Sequence, residues 1–530
     1  MISNLDVFII VLFFLITLAI GLLSMKKSGK SSAEFFLSGR NMPWWLLGVS
    51  MVATTFGADT PNLVTQIVRE KGIAGNWVWW IFLLTGMFTV FIYSKLWRRS
   101  EVLTDLEFYE LRYGDKAAAF LRGFRAIYLG FFVNAVIMAT VCVAATKLGV
   151  IMLGIAPWKT LLMAGVVTVI YSAIGGLRGV ILTDFFQFII AMVGSLWACM
   201  IIIDLPEVGG LQNLLDHPNV QPSLNMIPDF DSGETFIMLL VFPLILQWWS
   251  TWYPGAEPGG GSYVAQRILS AKDEKNAVAA TLFFNIAHYA LRPWPWILIA
   301  LASLIVFPEL TDISNAFPEA ELAMGHDIAY PAMLSRLPDG VFGLVLASLL
   351  AAFMSTLSTH LNWGSSYLVN DLYARFIDKE ASQKKLVNLG RVSTLILMAT
   401  AILLSTMIDT AKGGFDLILQ IGAGTGGIYL IRWFWHRVNA WSEISGMVIS
   451  GLVAVVLTAN SSALKDAGLE SYHLITINVL LTTFTWVLVT LLTKPADQKV
   501  LRKYFAQVEP WGKAWTKKYK FERTQISSKY

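Results

Sequence analysis

Apolar residues fall along the chain in blocks of about 20, separated by short polar stretches. Folded as a helix, a block of this length crosses the roughly 30 Å of hydrocarbon in a bilayer. The pattern predicts thirteen membrane helices and thus an all-α polytopic membrane protein. They cover residues 5–24, 45–69, 74–97, 123–153, 158–177, 181–204, 236–256, 276–307, 341–374, 388–408, 414–436, 441–459 and 473–493.

The composition supports this class. Of 530 residues, 55% are hydrophobic and 14% are charged, whereas a soluble chain carries about 25% charged residues. A soluble enzyme is therefore excluded. Cys142 and Cys199 both lie in apolar blocks, so no disulfide framework is expected. The net charge of +4 matters less than its distribution, and we expect no nucleic-acid partner.

The loop charges predict the orientation, because cytoplasmic loops carry the excess of Lys and Arg. The first loop carries Lys26, Lys27, Lys30 and Arg40, whereas residues 204–235 carry six acids and neither Lys nor Arg. This alternation predicts an outside N-terminus and a cytoplasmic C-terminus. A single transporter domain would occupy residues 1–493, followed by a basic cytoplasmic tail at 494–530. An even number of spans, with one run split or merged, is the alternative.

Gly and Pro interrupt two of the spans. The second span contains Gly57 and Pro61, and the seventh leads into residues 252–263, which hold two prolines and four glycines. Five spans separate the two interruptions, so they run in opposite directions, as an inverted repeat of five plus five helices requires. The predicted repeats are residues 45–204 and 236–436, with peripheral helices at 5–24, 441–459 and 473–493. A simple proline kink is the alternative for each interruption.

Ionisable residues inside spans mark a functional site by default, since a charge there costs about 2.5–3.5 kcal/mol. Asp59, Asp184 and Arg292 are such residues, and Glu257 lies near a predicted cytoplasmic helix end. A buried structural ion pair is the alternative for Asp59 and Arg292.

The ninth span carries four hydroxyls in five residues, at Ser355, Thr356, Ser358 and Thr359. Isolated Ser and Thr in membrane helices usually bond back to their own backbone. Four hydroxyls on one side of a helix exceed that need. Neutral oxygens of this kind, with carbonyls freed where a helix unwinds, suit a dehydrated small cation. The interrupted second span offers such carbonyls at Ala53 and Phe56.

Four segments then carry a family resemblance. They are residues 35–44 (FFLSGRNMPW), 172–187 (SAIGGLRGVILTDFFQ), 263–272 (YVAQRILSAK) and 351–373. With them the chain resembles the sodium:solute symporter family, which includes bacterial proline and sialic acid transporters and animal sodium/glucose cotransporters. The resemblance implies a LeuT-type fold and sodium as the coupling ion.

The resemblance also implies site residues. A first sodium site matches Ala53, Phe56, Ala352, Ser355 and Thr356. A second sodium site, found in some members, matches Asp184, Ser358 and Thr359, which implies two sodium ions per cycle. Tyr263 matches the tyrosine that gates the solute from the cytoplasmic side in the sugar transporters.

The resemblance does not identify the solute. Thr55 stands where proline transporters have aspartate and sugar transporters have asparagine, and Gly261 stands where sugar carriers have a polar residue. Residue chemistry alone adds further candidates for the solute pocket, namely Asp59, Thr60, Trp77, Trp79, Trp80, Gln247, Trp248, Trp249, His288 and Arg292. An interfacial aromatic belt is the alternative for Trp77, Trp79 and Trp80.

Together these observations predict a sodium-coupled symporter that imports a sugar, amino acid or carboxylate. We expect it in the lipid bilayer of the plasma membrane, most simply a bacterial inner membrane, without an obligate protein partner. A sodium-independent channel or a solute sensor on the same scaffold is the alternative. A membrane enzyme is disfavoured, because the His residues form no metal or nucleophile spacing with Cys or paired acids.

Overall fold

The computed structural model describes residues 3–55, 57–318, 325–408, 411–512 and 515. Within these ranges the chain is helical and forms no β-strand, only two isolated backbone bridges. The main helices are α1 (Asn4–Ser28), α2 (Trp44–Thr54), α3 (Asp59–Lys71), α4 (Ile73–Ser100), α5 (Lys116–Leu153), α6 (Pro157–Ile203), α7 (Glu234–Ser250), α8 (Ser262–Ser270), α9 (Glu274–Val306), α10 (Val341–Ile377), α11 (Gln383–Ser405), α12 (Ala411–Gly422), α13 (Gly426–Ile431), α14 (Ala440–Ala459), α15 (Ser471–Leu492) and α16 (Gln498–Val508). Short helices in the loops are Ser32–Leu37, Glu107–Tyr113, Leu211–Asp216, Leu310–Ala316, Ala329–Leu334 and Ser461–Asp466.

Nine helices of the described residues are long and apolar enough to cross a membrane, and α2 and α7 are shorter apolar helices. The exact number of thirteen spans stays a prediction. α6 has 47 residues, about 70 Å of helix, which is twice the thickness of the hydrocarbon. It bends at Gly176, whose φ of 54° and ψ of −166° are not helical. The bend lies where two predicted spans meet.

Both predicted interruptions are present. The chain leaves helical geometry between Thr54 and Asp59, and again between Ser250 and Ser262. The seventh span ends at Ser250 rather than at residue 256, because Pro254 and the glycines after it cannot continue a helix. The helix α8 that follows lies in a stretch that the hydrophobic pattern predicts to be a loop.

A third interruption separates α12 from α13, inside the predicted span 414–436. It pairs with the interruption after α7, since the amide of Trp252 donates to the carbonyl of Gly422 at 3.1 Å and that of Gly424 donates to Ser250 at 3.0 Å. Backbone amides and carbonyls that lose their helical partners at these two interruptions thus hydrogen-bond to each other. Unwound segments inside a membrane require such partners, because no water is available to them.

Hydrogen bonds join loops that are predicted to lie on the same side of the membrane. Loops expected to be cytoplasmic are joined by hydrogen bonds that link Met42 with Ser270, Arg98 with Ala271, and Gln507 with Ser100. Loops expected outside are joined by bonds that link Trp77 with Met226, Arg69 with Pro308, and Tyr472 with Glu234. Which end faces the cytoplasm stays a prediction from the charges.

Candidate functional site

The first interruption ends α2 with carbonyls that lack helical partners. Thr54 and Thr55 close the helix with their own hydroxyls, since Thr54 Oγ1 donates to the carbonyl of Ser50 at 2.8 Å and Thr55 Oγ1 donates to that of Val52 at 2.9 Å. Ala53 is buried here, and Phe56 lies outside the described residues. The end of α2 therefore carries the partial negative charge of a helix C-terminus.

The buried helix α10 faces this interruption. Thr356 Oγ1 donates to the carbonyl of Thr54 at 2.8 Å, and Ser355 Oγ donates to Asp184 Oδ1 at 2.6 Å. Ala352 lies one turn earlier on α10 and is buried. Of the described residues of the predicted first sodium site, Thr356 contacts the end of α2, while Ser355 bonds to Asp184 of α6. That these residues bind one ion stays a prediction.

The other two hydroxyls of α10 differ from each other. Ser358 Oγ donates to the carbonyl of Ser355 at 3.0 Å, which is ordinary back-bonding. Thr359 Oγ1 lies 2.8 Å from Thr54 Oγ1 on α2. Ser355, Thr356 and Thr359 therefore each form a hydrogen bond to another helix. This agrees with the expectation that the hydroxyls do more than bond to their own backbone.

An arginine that the sequence pattern did not single out lies among the predicted ligands of the second sodium. Arg267 of α8 donates from Nη2 to Thr359 Oγ1 at 2.6 Å, and its Nε donates to Ser50 Oγ at 3.2 Å. The same Nη2 lies 3.7 Å from Asp184 Oδ2. Ser50 Oγ donates to that carboxylate oxygen at 2.5 Å. This arginine lies in the segment 263–272 that carries the family resemblance, but nothing in the sequence indicates that its side chain is buried.

A cavity of about 80 Å³ lies beside the first interruption, enough room for several water molecules. Seven of the predicted solute residues line it, namely Thr55, Asp59, Thr60, Trp79, Tyr263, His288 and Arg292. Thr356 also lines it, so the cavity adjoins the predicted first sodium site.

Two cavity residues of α9 hold the interrupted helix. Arg292 Nη1 donates to the carbonyl of Val52 at 3.1 Å and to Thr55 Oγ1 at 3.2 Å. His288 Nδ1 lies 3.2 Å from the same hydroxyl. His288 lies in a π-helical turn at Ile286–Leu291, and Arg292 follows it directly. π-Helical turns are frequent at functional sites.

The remaining predicted solute residues do not line the cavity. Gln247 Nε2 donates to the carbonyl of Val78 at 2.8 Å, and the ring of Trp248 stacks on Phe88 with centroids 5.4 Å apart. The indole of Trp249 donates to Ile245 at 2.8 Å. Trp77, Trp80 and Gly261 also lie outside the lining. Trp77 binds the carbonyl of Met226, Trp80 packs on Trp77 and Trp79, and Gly261 adjoins the carboxyl of Glu257.

Sequence reasoning missed several cavity residues, namely Phe82, Tyr253, Tyr289, His360 and Phe415. Two of them carried a usable signal. Tyr253 lies within the second interruption, and His360 follows Thr356 by one helical turn, so it falls on the same face of α10.

Beneath the cavity, the start of α8 is bound by two carboxylates. The amide of Ser262 donates to Asp105 Oδ2 at 2.9 Å, and its hydroxyl donates to Glu257 Oε2 at 2.7 Å. Tyr263 follows directly and contacts the ring of His360 at a centroid distance of 5.4 Å. The predicted gate residue thus forms part of the cavity wall next to the second interruption.

Two interrupted membrane helices that bound one cavity, beside hydroxyls and freed carbonyls, are typical of a secondary transporter. A sequence profile of the sodium:solute symporter family matches residues 35–450, and the chain belongs to that family. The members of this family that it matches are membrane transporters and not enzymes.

Two relatives illustrate the similarity. The chain is 26% identical over 542 residues to sodium/glucose cotransporter 1 of Oryctolagus cuniculus, which covers 92% of this chain and 79% of that one. It is also 26% identical over 466 residues to the sodium/glucose cotransporter of Vibrio parahaemolyticus, with 84% of each chain covered.

The fold resembles that of a Na⁺-coupled sialic acid symporter solved in a substrate-bound outward-open state. The TM-score is 0.73 at 19% identity, with 94% of this chain and 99% of that one covered. This likeness supports the predicted LeuT-type architecture.

Proposed function

We propose that the protein imports a small polar organic solute together with sodium ions by alternating access. The observation that carries the proposal is the contact of Thr356 and Thr359 of α10 with Thr54, at the end of the interrupted helix α2. Hydroxyls in this position are the neutral oxygens that a dehydrated sodium ion needs.

The first sodium would bind to the carbonyls of Ala53, Phe56 and Ala352 and to the hydroxyls of Ser355 and Thr356. Thr356 Oγ1 would then turn from its bond with the carbonyl of Thr54 to the ion. The ion would hold the end of α2 against α10 and so favour the solute-binding state. By linkage, the solute would in turn strengthen sodium binding.

A second sodium at Asp184, Ser358 and Thr359 is also part of the proposal. Arg267 Nη2 donates to the hydroxyl of Thr359, so an ion that uses this hydroxyl must displace the guanidinium. One ion entering across 100 mV supplies ~2.3 kcal/mol, and a tenfold gradient adds ~1.4 kcal/mol. A second ion would double this driving force.

The solute would occupy the cavity between Thr55, Asp59, Thr60, His288 and Arg292, with Tyr263 on the predicted cytoplasmic side. These groups offer a carboxylate, a guanidinium, an imidazole and hydroxyls, and Trp79 adds an aromatic face. Sugars, amino acids and carboxylates are the classes that such groups bind. We place the protein in the plasma membrane, with a bacterial inner membrane as the specific proposal.

A stability screen on the purified protein tests the proposal and identifies the solute. A true solute should raise the thermal midpoint more strongly with sodium than with potassium, because each ligand strengthens the other's binding. Ser355→Ala and Thr356→Ala should abolish this difference. Ser366→Ala is the matched control, since its hydroxyl also lies on α10 but donates to the carbonyl of Trp363 in its own helix at 2.7 Å. A sodium-independent response in wild type would contradict the proposal.

A further inference from the structure

The carboxylate of Asp59 lies on the boundary between the cavity and the proposed first sodium site. A Cβ atom added to Gly57 would stand 2.1 Å from Asp59 Oδ1 and 3.2 Å from Thr356 Oγ1. Both oxygens therefore border the same small gap, which exists because residue 57 has no side chain. Asp59 also lines the solute cavity.

This carboxylate forms no ion pair with a basic side chain of the described residues. Carboxylates at membrane depth are usually paired. The two basic side chains that line the cavity, Arg292 and His288, both contact Thr55 Oγ1. Asp59 is the first residue of α3, and the positive end of that helix compensates part of its charge.

We infer that Asp59 is the anionic partner of the sodium ion at Thr356, an inference that rests on the proposed function. The other proposed ligands of that ion are neutral carbonyl and hydroxyl oxygens, so Asp59 adds a negative charge beside the ion, as Asp184 does through its hydrogen bond from Ser355. Because the same carboxylate borders the cavity, it links the ion to the solute. A sodium ion bound next to Asp59 would hold the carboxylate in one position, and the solute in the cavity would contact that same carboxylate.

A sodium titration of the purified full-length protein tests this inference. Thermal midpoints are measured as sodium chloride replaces choline chloride at constant ionic strength. Asp59→Asn keeps an oxygen that can accept hydrogen bonds at the helix start, yet removes the charge. The sodium concentration for half-maximal stabilisation should rise about tenfold or more, the scale of losing a charged partner. Asp59→Glu should retain more of the sodium affinity than Asp59→Asn.

Asp273→Asn is the matched control. Asp273 precedes α9 and accepts a hydrogen bond from the amide of Asn276 at 2.8 Å, but it lies outside the cavity lining. Its substitution should leave the sodium titration unchanged. If Asp59 only stabilises the start of α3, Asp59→Asn will lower the midpoint equally at every sodium concentration, and the inference fails.

The outcome also separates this inference from the proposed function. If Thr356→Ala weakens the sodium response and both Asp59 variants titrate like wild type, the sodium site stands and the role of Asp59 is refuted. If wild type shows no response to sodium at all, the proposed function and the inference fail together.

Discussion

Arg267 donates a hydrogen bond of 2.6 Å from Nη2 to the hydroxyl of Thr359. This contact places a fixed positive charge among the side chains predicted to hold a second sodium ion. Asp184 lies 3.7 Å from the same nitrogen, so the guanidinium and an incoming ion would compete for one carboxylate and one hydroxyl.

The second sodium ion can be tested through Thr359. With two ions per cycle, the rate of solute uptake should rise with sodium concentration with a Hill coefficient approaching about two. Thr359→Val removes the hydroxyl and should lower the coefficient to about one. Thr359→Ser keeps the hydroxyl and serves as the control. A coefficient of one in wild type would contradict the second ion.

Removing Arg267 should strongly destabilise the protein. Arg267→Met leaves Asp184 as a buried charge with only hydroxyl partners, and breaking a buried pair in this way costs about 3–5 kcal/mol. Equilibrium unfolding in mixed micelles measures the loss. The double variant Arg267→Met, Asp184→Asn should recover part of it, because the unpaired charge is gone. Equal stability of wild type and Arg267→Met would refute a stabilising pair.

Gly57 should be required for sodium-linked uptake. Gly57→Ala would drive a Cβ into Asp59 Oδ1, which lies 2.1 Å from the position of that atom. We expect initial uptake to fall about tenfold or more, as for the loss of a charged contact. Gly451→Ala is the control, since nothing lies within 4 Å of its added Cβ. Uptake by Gly57→Ala equal to that of the control would exclude this steric role.

Glu110 should make stability dependent on pH at the predicted cytoplasmic end. Burial raises its pKa, but hydrogen bonds from Arg375 and Arg122 outweigh burial, so the pKa lies below its ordinary value of 4.5. A lowered folded-state pKa gives stability that is present above pH 4.5 and is lost as the pH falls through the folded pKa. Thermal midpoints of wild type and Glu110→Gln should therefore differ at neutral pH and converge in acid. A constant difference would contradict the assignment.

Much of the architecture follows from local chemistry in the sequence. Gly57 and the prolines and glycines of 252–263 predict the two interruptions because such residues cannot continue a helix. Loop charges predict which loops meet at each end. The hydroxyls of α10 predict contacts beyond their own backbone, and Thr356 and Thr359 make them.

The solute residues of α7 could not be assigned from the sequence, because the helix changes its pitch. π-helical turns cover Ile237–Val241 and Pro243–Gln247, and each extra residue per turn rotates the residues that follow to another face. Trp248 and Trp249 lie outside the cavity lining, to which the segment after the helix contributes Tyr253 instead.

Arg267 could not be foreseen for a different reason. A basic residue in a short polar stretch normally indicates an exposed cytoplasmic loop, yet α8 is buried and its arginine reaches α10. The tertiary packing of α8 places this charge next to Thr359, one of the predicted ligands of the second sodium ion.

Uptake driven by a sodium gradient distinguishes coupled transport from passive equilibration of the solute. Proteoliposomes that contain the protein and equal solute on both sides are given an inward sodium gradient. A sodium-coupled symporter will accumulate the solute inside and release it again when the gradient is dissipated. Thr356→Ala should fail to accumulate it, while Ser366→Ala should behave like wild type. Solute that only equilibrates, at the same rate with sodium as with potassium, would contradict coupled transport.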